Sequence, residues 1–370
     1  MKLRLALVAL VVAELLLAVY LWLPRRYVEP RVERAVTPEI EERHFITLVV
    51  RDPEGRVVER TYETRSVVNP EMLAVRMFST WYATPGGGLS SYISMETPAC
   101  RLNGSGFFMN YRDAGSLYDG GIYFYPSLVF LGSGSGGGQT LGSPLGVSAV
   151  PSVSYVYNDV WFNVTVTATF SFSQATTVSE AMLAVVDESG DPSPGFYPLV
   201  YDSFPAITVP VGGSLTVQWT FAWKDNGAFT ENRGKLWQYA LTLNAGWERP
   251  YVTFVDSAGV SVAIPWPNAG GAPQGRIVAG ELAWGTGTSP MSRSSFRLQS
   301  EAGSVQVGAL LVGSGFSLGA AVGGQASEVG LYWLALDENG NLRRILLMRW
   351  VPGYALPAGT PVNVYVARGG

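Results

Sequence analysis

Glu180 and Glu328 each follow a serine and open an apolar run. Two carboxylic side chains are the minimum equipment for glycoside hydrolysis, one as acid and the other as base or nucleophile, and the chain's 11 tryptophans would supply stacking surfaces for sugar rings. Each half of the sequence supplies only one such Glu, however. A Glu repeated at the start of a strand more often fixes a corner of a fold through hydrogen bonds or an ion pair.

Oxygen-bearing side chains also alternate at Asp187, Ser189 and Asp191, and again at Asp337, Asn339 and Asn341, as calcium-binding loops require. An EF-hand loop needs glycine sixth and a late bidentate Glu, whereas here Gly190 and Gly340 stand fourth. Turn residues flanked by apolar runs are a hairpin signal, which is the reading adopted. The run "GSGSGGG" from Gly132 to Gly138 lacks the Gly-Lys-Ser/Thr ending of a phosphate loop and is read as a flexible connection.

One cysteine, Cys100, and one histidine, His44, exclude an intrachain disulfide, a Cys/His zinc site and a Ser-His-Asp triad unless His44 serves alone. No catalytic residue, metal ligand or cofactor site is assigned, and the chain is not expected to be an enzyme. A net charge of −4 with scattered basic residues gives no footprint for nucleic acid. The candidate binding residues are Trp161, on the polar side of its strand, Trp237 and Trp247. Asn103 and Asn163 open glycosylation sequons, relevant to an exported body.

The elements that carry these residues are strands. An apolar share of 47%, with 15% charged residues, 43 Gly and 23 Pro, fits short strands joined by tight turns. Val160, Phe162, Val164, Val166, Ala168, Phe170 and Phe172 alternate with polar residues, as do Leu215, Val217, Trp219, Phe221 and Trp223, which places Trp219 and Trp223 in the core. One helix per module is expected, in the first at Asn69 to Trp81, with Asn69 as cap and Pro70 in the first turn.

An internal repeat organises the body. Ser179-Glu180 matches Ser327-Glu328, "VDESGD" matches "LDENGN", Leu199-Val200 matches Leu346-Leu347, and "TVPVGGSLTV" matches "ALPAGTPVNV", at offsets between 147 and 150. Weaker matches join "FLGSGSGGGQTL" to "WGTGTSPMSRSSF" and "NPEMLAV" to "NRGKLWQ". The expected architecture is all-β, with β-sandwich modules at 45–226 and 227–370 arising from duplication.

Ahead of them, residues 5–23 form a 19-residue apolar run flanked by Lys2, Arg4 and Pro24-Arg25-Arg26. At about 1.5 Å per residue it spans roughly 28 Å, the thickness of a bilayer's hydrocarbon core. Residues 1–26 are read as an uncleaved single-pass anchor, and 27–44, rich in charge and proline, as a stalk. Glu14, at the middle of the run, is a candidate intramembrane contact.

The block "SEVGLYWLALDENGNLRR", with its D-x-N-G turn, resembles a signature of phage tail-fibre and collar proteins and of structural modules in archaeal viruses. It covers about 40 residues, and the first copy departs from it by reading Glu180-Ala181-Met182-Leu183. The resemblance implies a β-rich structural or host-contact module. The expectation is therefore a membrane-anchored structural or adhesive protein, its body outside the cell or on a virion surface. Its partners would be the membrane, other surface or virion proteins and further copies of itself, the last through the hairpin at 45–65. The alternative is a carbohydrate-binding or carbohydrate-processing surface protein.

Overall fold

Strand alternation governs the chain. The computed structural model describes residues 36, 38–64, 66–68, 127–136, 141–185, 197–241, 251–265, 279–307, 309–312, 315–337, 339 and 341–368. The first half contributes β1 (Glu41–Arg51), β2 (Val57–Thr64), β3 (Val67–Val68), β4 (Ser127–Gly132), β5 (Pro144–Ala149), β6 (Ser152–Tyr157), β7 (Trp161–Ser171), β8 (Thr176–Val185), β9 (Tyr197–Val209) and β10 (Ser214–Lys224). The second contributes α1 (Glu231–Leu241), β11 (Tyr251–Val255), β12 (Ser261–Pro265), β13 (Ala279–Gly285), β14 (Glu301–Val307), β15 (Ala309–Val312), β16 (Gly315–Ala321), β17 (Glu328–Leu336), β18 (Leu342–Trp350) and β19 (Pro361–Arg368). The fold is nearly all β, as composition predicts.

In the first half one sheet runs β2-β1-β10-β7-β6 and the other β3-β9-β8-β4-β5. Inward residues of the first, among them Ile46, Leu48, Val164, Val166, Leu215, Val217 and Trp219, share a core with Val129, Leu131, Ala181, Leu183 and Leu199 of the second. This sandwich-like packing follows from period-two strands that must cover one face. Trp219 also pins the sheets together, its Nε1–H donating to Asp202 at 2.8 Å, where Ser66 donates as well.

The second half runs β14-β13-β17-β18 and β15-β16-β19, with β11–β12 as a separate hairpin. Its two larger sheets repeat the order β5-β4-β8-β9 and β6-β7-β10 of the first half, strand for strand. The hairpin β1–β2 has no counterpart among the described strands of the second half. There, Val36 pairs with Val362 at the edge of β19.

Three expectations are refined. β1 begins at Glu41, so residues 41–44 form sheet rather than stalk. The 45–65 hairpin belongs to the chain's own first sheet, since β1 pairs with β10 along its whole length and buries Ile46, Leu48 and Val50. Trp237, expected to be free for a ligand, is 1% exposed, stacked on Phe221 at 5.6 Å and tilted against Trp223 at 5.2 Å.

Trp237 is buried because α1 is covered on more than one side, by β6, β11 and β18. Asn232 donates to the carbonyls of Val255 and Leu346, and Gln238 donates to that of Val153. Gly234 lets the ring of Tyr155 lie against the helix, where a Cβ would come within 2.5 Å of it. Arg233 is buried with its guanidinium 3.9 Å from the Phe229 ring, and burial lowers its pKa to about 10. Residues 35–370 thus form one compact unit whose main core draws on both halves.

The membrane-spanning helix expected at 5–23, with Glu14, the helix expected at 69–81, the first-copy turn at 186–191, Asn103 and Trp247 lie outside the described residues. Among the described residues no helix is long and apolar enough to cross a membrane.

Candidate functional site

The two glutamates lie where the register of the sheets puts them, opposite glycines. Glu180 on β8 faces Gly132 at the end of β4, and Glu328 on β17 faces Gly285 at the end of β13. Both are fully buried. Glu180 accepts from the backbone N–H groups of Gly134, Gly136, Gly142 and Ser143 at 2.7–3.1 Å, and from the Tyr201 hydroxyl at 3.0 Å. Glu328 accepts from the N–H groups of Gly287, Gln299 and Ser300 at 2.7–3.1 Å, and from Arg349 Nε at 2.8 Å.

A buried carboxylate with this many donors is an anion held in a nest of amides. Burial pushes the Glu180 carboxyl upward, but the amides of Gly142, Ser143 and Gly136 and the Tyr201 hydroxyl outweigh it, and its pKa lies below the ordinary value. Glu328 is likewise lowered against its burial by Ser300, Arg349 and Gln299. Burial and the neighbouring Glu180 push Tyr201 up to about 12. Carboxylates held ionised and saturated with donors are poor general acids. They close loops, the first spanning 133–143 and the second 286–300.

Asp337 behaves similarly. Its carboxylate accepts from the N–H groups of Asn339 and Asn341 and from Arg343 inside the β17–β18 turn, closing a hairpin with the chain's own donors. His44 is buried against Glu42 at 2.9 Å and packs edge-on to Phe221.

The second loop also reaches across the molecule. Arg349, besides gripping Glu328, donates to the carbonyls of Ser289 and Pro290. Nearby, Arg293 crosses to the first half, meeting Asp225 at 2.5 and 2.7 Å and the Asn158 carbonyl at 2.8 and 2.9 Å, and also donates to the Phe229 carbonyl at 3.0 Å. All five of its N–H groups are thereby used. Two buried Arg–carboxylate pairs, Arg349–Glu328 and Arg293–Asp225, hold one short segment in place.

Beside that segment lies a groove of about 650 Å³. It is lined by the β6–β7 turn, Tyr157 to Asp159, by Asn226, Gly227 and Glu231, and by Pro290 to Ser294 and Val351. Tyr157 is 37% exposed, and its ring lies parallel to those of Tyr155 and Phe162 at 6.2 Å each. The Glu231 carboxylate beside its hydroxyl, together with burial, pushes its pKa up to about 12. Arg293 is spent on Asp225, so the charges left to face the groove are the carboxylates of Asp159 and Glu231.

Of the residues singled out in the sequence, Trp161 stands half-buried on the outer face of its sheet, 5.9 Å from the Arg43 guanidinium. Asn163 lies near the start of β7, paired with Ala222 and Val156, with its Oδ1 buried. Neither lines the groove. Tyr157, Asp225, Glu231, Arg293 and Arg349 escaped the sequence reading. The one available signal was Arg293 itself, a charged residue in a loop that is mostly glycine and serine in the other half.

Compared with known proteins, the chain matches no family model, no curated protein and no solved structure.

Proposed function

We propose that the chain is a membrane-anchored extracytoplasmic protein, structural or adhesive, of a cell surface or virion envelope, built by duplication of one β-sandwich module. The repeated strand order supports the duplication, as do the two loop-closing glutamates 148 residues apart. The observation that carries the functional reading is that the side chains best suited to acid–base chemistry are occupied in fixing loops. Such a body presents surfaces, and the apolar run at 5–23 would tether it.

Protease shaving of intact cells or virions bearing the full chain with a C-terminal tag tests this reading. The tag is expected to be removed from outside while the chain stays in the membrane fraction. A tag protected until the membrane is breached, or a chain recovered as soluble protein, would overturn it. The junction groove favours a second reading, carbohydrate binding, in which recognition rather than hydrolysis is the activity.

A further inference from the structure

We infer that the junction groove is a binding site for a neutral saccharide, with Tyr157 as the stacking platform and Glu231, Asp159 and Asn226 as the groups that read hydroxyls. The inference rests on the adhesive reading and deepens it by naming what the surface adheres to.

The groove is built rather than incidental. Buried ion pairs are weak sources of stability compared with apolar packing, so their value lies more in fixed geometry. Here two of them anchor residues 289–293, Arg349 through the carbonyls of Ser289 and Pro290 and Arg293 through Asp225. The rest of the lining is fixed as well. Asn158 Oδ1 accepts from the N–H groups of Val160 and Trp161, and the N–H of Glu231 donates to the Arg293 carbonyl at 2.9 Å. A preformed wall lowers the ordering cost of binding.

The chemistry selects the ligand class. Arg293, the lining residue that carries positive charge, has all five N–H groups engaged, so a phosphate, sulfate or carboxylate would meet Asp159 and Glu231 with no free cation. A cationic side chain would satisfy those carboxylates, but a single Lys or Arg fills little of about 650 Å³. A short saccharide matches both the volume and the lining. Its C–H face suits the exposed Tyr157 ring, held in place by Tyr155 and Phe162. Its hydroxyls donate to carboxylates and exchange hydrogen bonds with the Asn226 amide and the Ser292 and Ser294 hydroxyls.

The test uses the full chain in detergent micelles on an array of neutral, sulfated and sialylated oligosaccharides, with poly-lysine as a cationic probe, followed by calorimetric titration of the hits. Retention of at least one neutral oligosaccharide class is expected. Tyr157→Ala should weaken it about tenfold. Glu231→Gln, which keeps size and leaves the ring in place, should weaken it several-fold at an unchanged Tm. No retained neutral saccharide, equal binding by wild type and both variants, or preference for anionic saccharides or poly-lysine would overturn the inference. Protease shaving reads topology independently, so the surface reading can stand where this inference fails.

Discussion

Replacing Glu180 by glutamine probes the first loop lock with the least change of shape. The carboxylate's Oε1 accepts from Gly134 and Ser143, and its Oε2 from Gly136, Gly142 and the Tyr201 hydroxyl. An amide has one acceptor oxygen, so whichever way it turns, its NH₂ confronts two backbone N–H groups. The tyrosine can adapt, because its hydroxyl also reaches the Gly136 carbonyl at 2.8 Å. Two orphaned buried donors cost about 1–3 kcal/mol each, and the remaining bonds lose their charge assistance. A loss of about 4 kcal/mol is expected, comparable with the whole stability of a marginal domain. It should appear first as local opening of 133–143.

Hydrogen exchange of the Gly134, Gly136, Gly142 and Ser143 amides measures this directly. At neutral pH the variant should lose roughly three decades of protection, since about 1.4 kcal/mol is a factor of ten. The dependence on pH has a definite sign. The folded-state pKa of Glu180 is lowered from 4.5, so its contribution is complete above the unfolded pKa and fades as pH falls through the folded one. Wild type and variant should therefore converge in acid. Equal protection at neutral pH, or a gap that persists unchanged once the carboxylate is protonated, would refute the reasoning.

Two further substitutions test the junction and the helix. Arg293→Met should cost about 3–5 kcal/mol by leaving the Asp225 carboxylate buried without its cation, and adding Asp225→Asn should recover part of that loss. Calorimetric Tm values of the three variants check the cycle, and strict additivity would argue against the coupling. Gly234→Ala should lower Tm although alanine favours helix by about 1 kcal/mol, because its Cβ would press on the Tyr155 ring. A rise in Tm would show that the ring yields freely.

How much of this was legible beforehand depended on whether a residue's partner was a side chain or a backbone amide. Period-two patterning located β7 and β10, whose inward residues from Phe162 to Phe170 and from Leu215 to Trp223 are buried. The Asp337 turn was legible because the turn chemistry is local. Glu180 and the glycine-rich loop were both noticed, but their union is made by four main-chain N–H groups, which carry no residue signature. Trp237 misled because α1 has no clean polar face. Asn232 and Arg233 are buried along with Leu236 and Trp237, since strands cover the helix on more than one side.

The difference between the two loops traces to one matched position. Met182, two residues after Glu180, pairs with Tyr201, and Gly330, two residues after Glu328, pairs with Arg349. Tyr201 brings one hydroxyl, which reaches the Glu and the Gly136 carbonyl, so the first loop closes on itself. Arg349 brings a charge and a fork of donors. Its Nε serves the Glu, and its two terminal nitrogens are left to hold Ser289 and Pro290. In the same segment Arg293 reaches Asp225 in the first half. A tyrosine at 349 could close the lock but would leave 289–290 without those two anchors, and the groove would lose the anchoring of Pro290 in its lining. The site at the junction thus depends on a side chain that is not itself among its lining residues but holds one of them, Pro290, by its carbonyl.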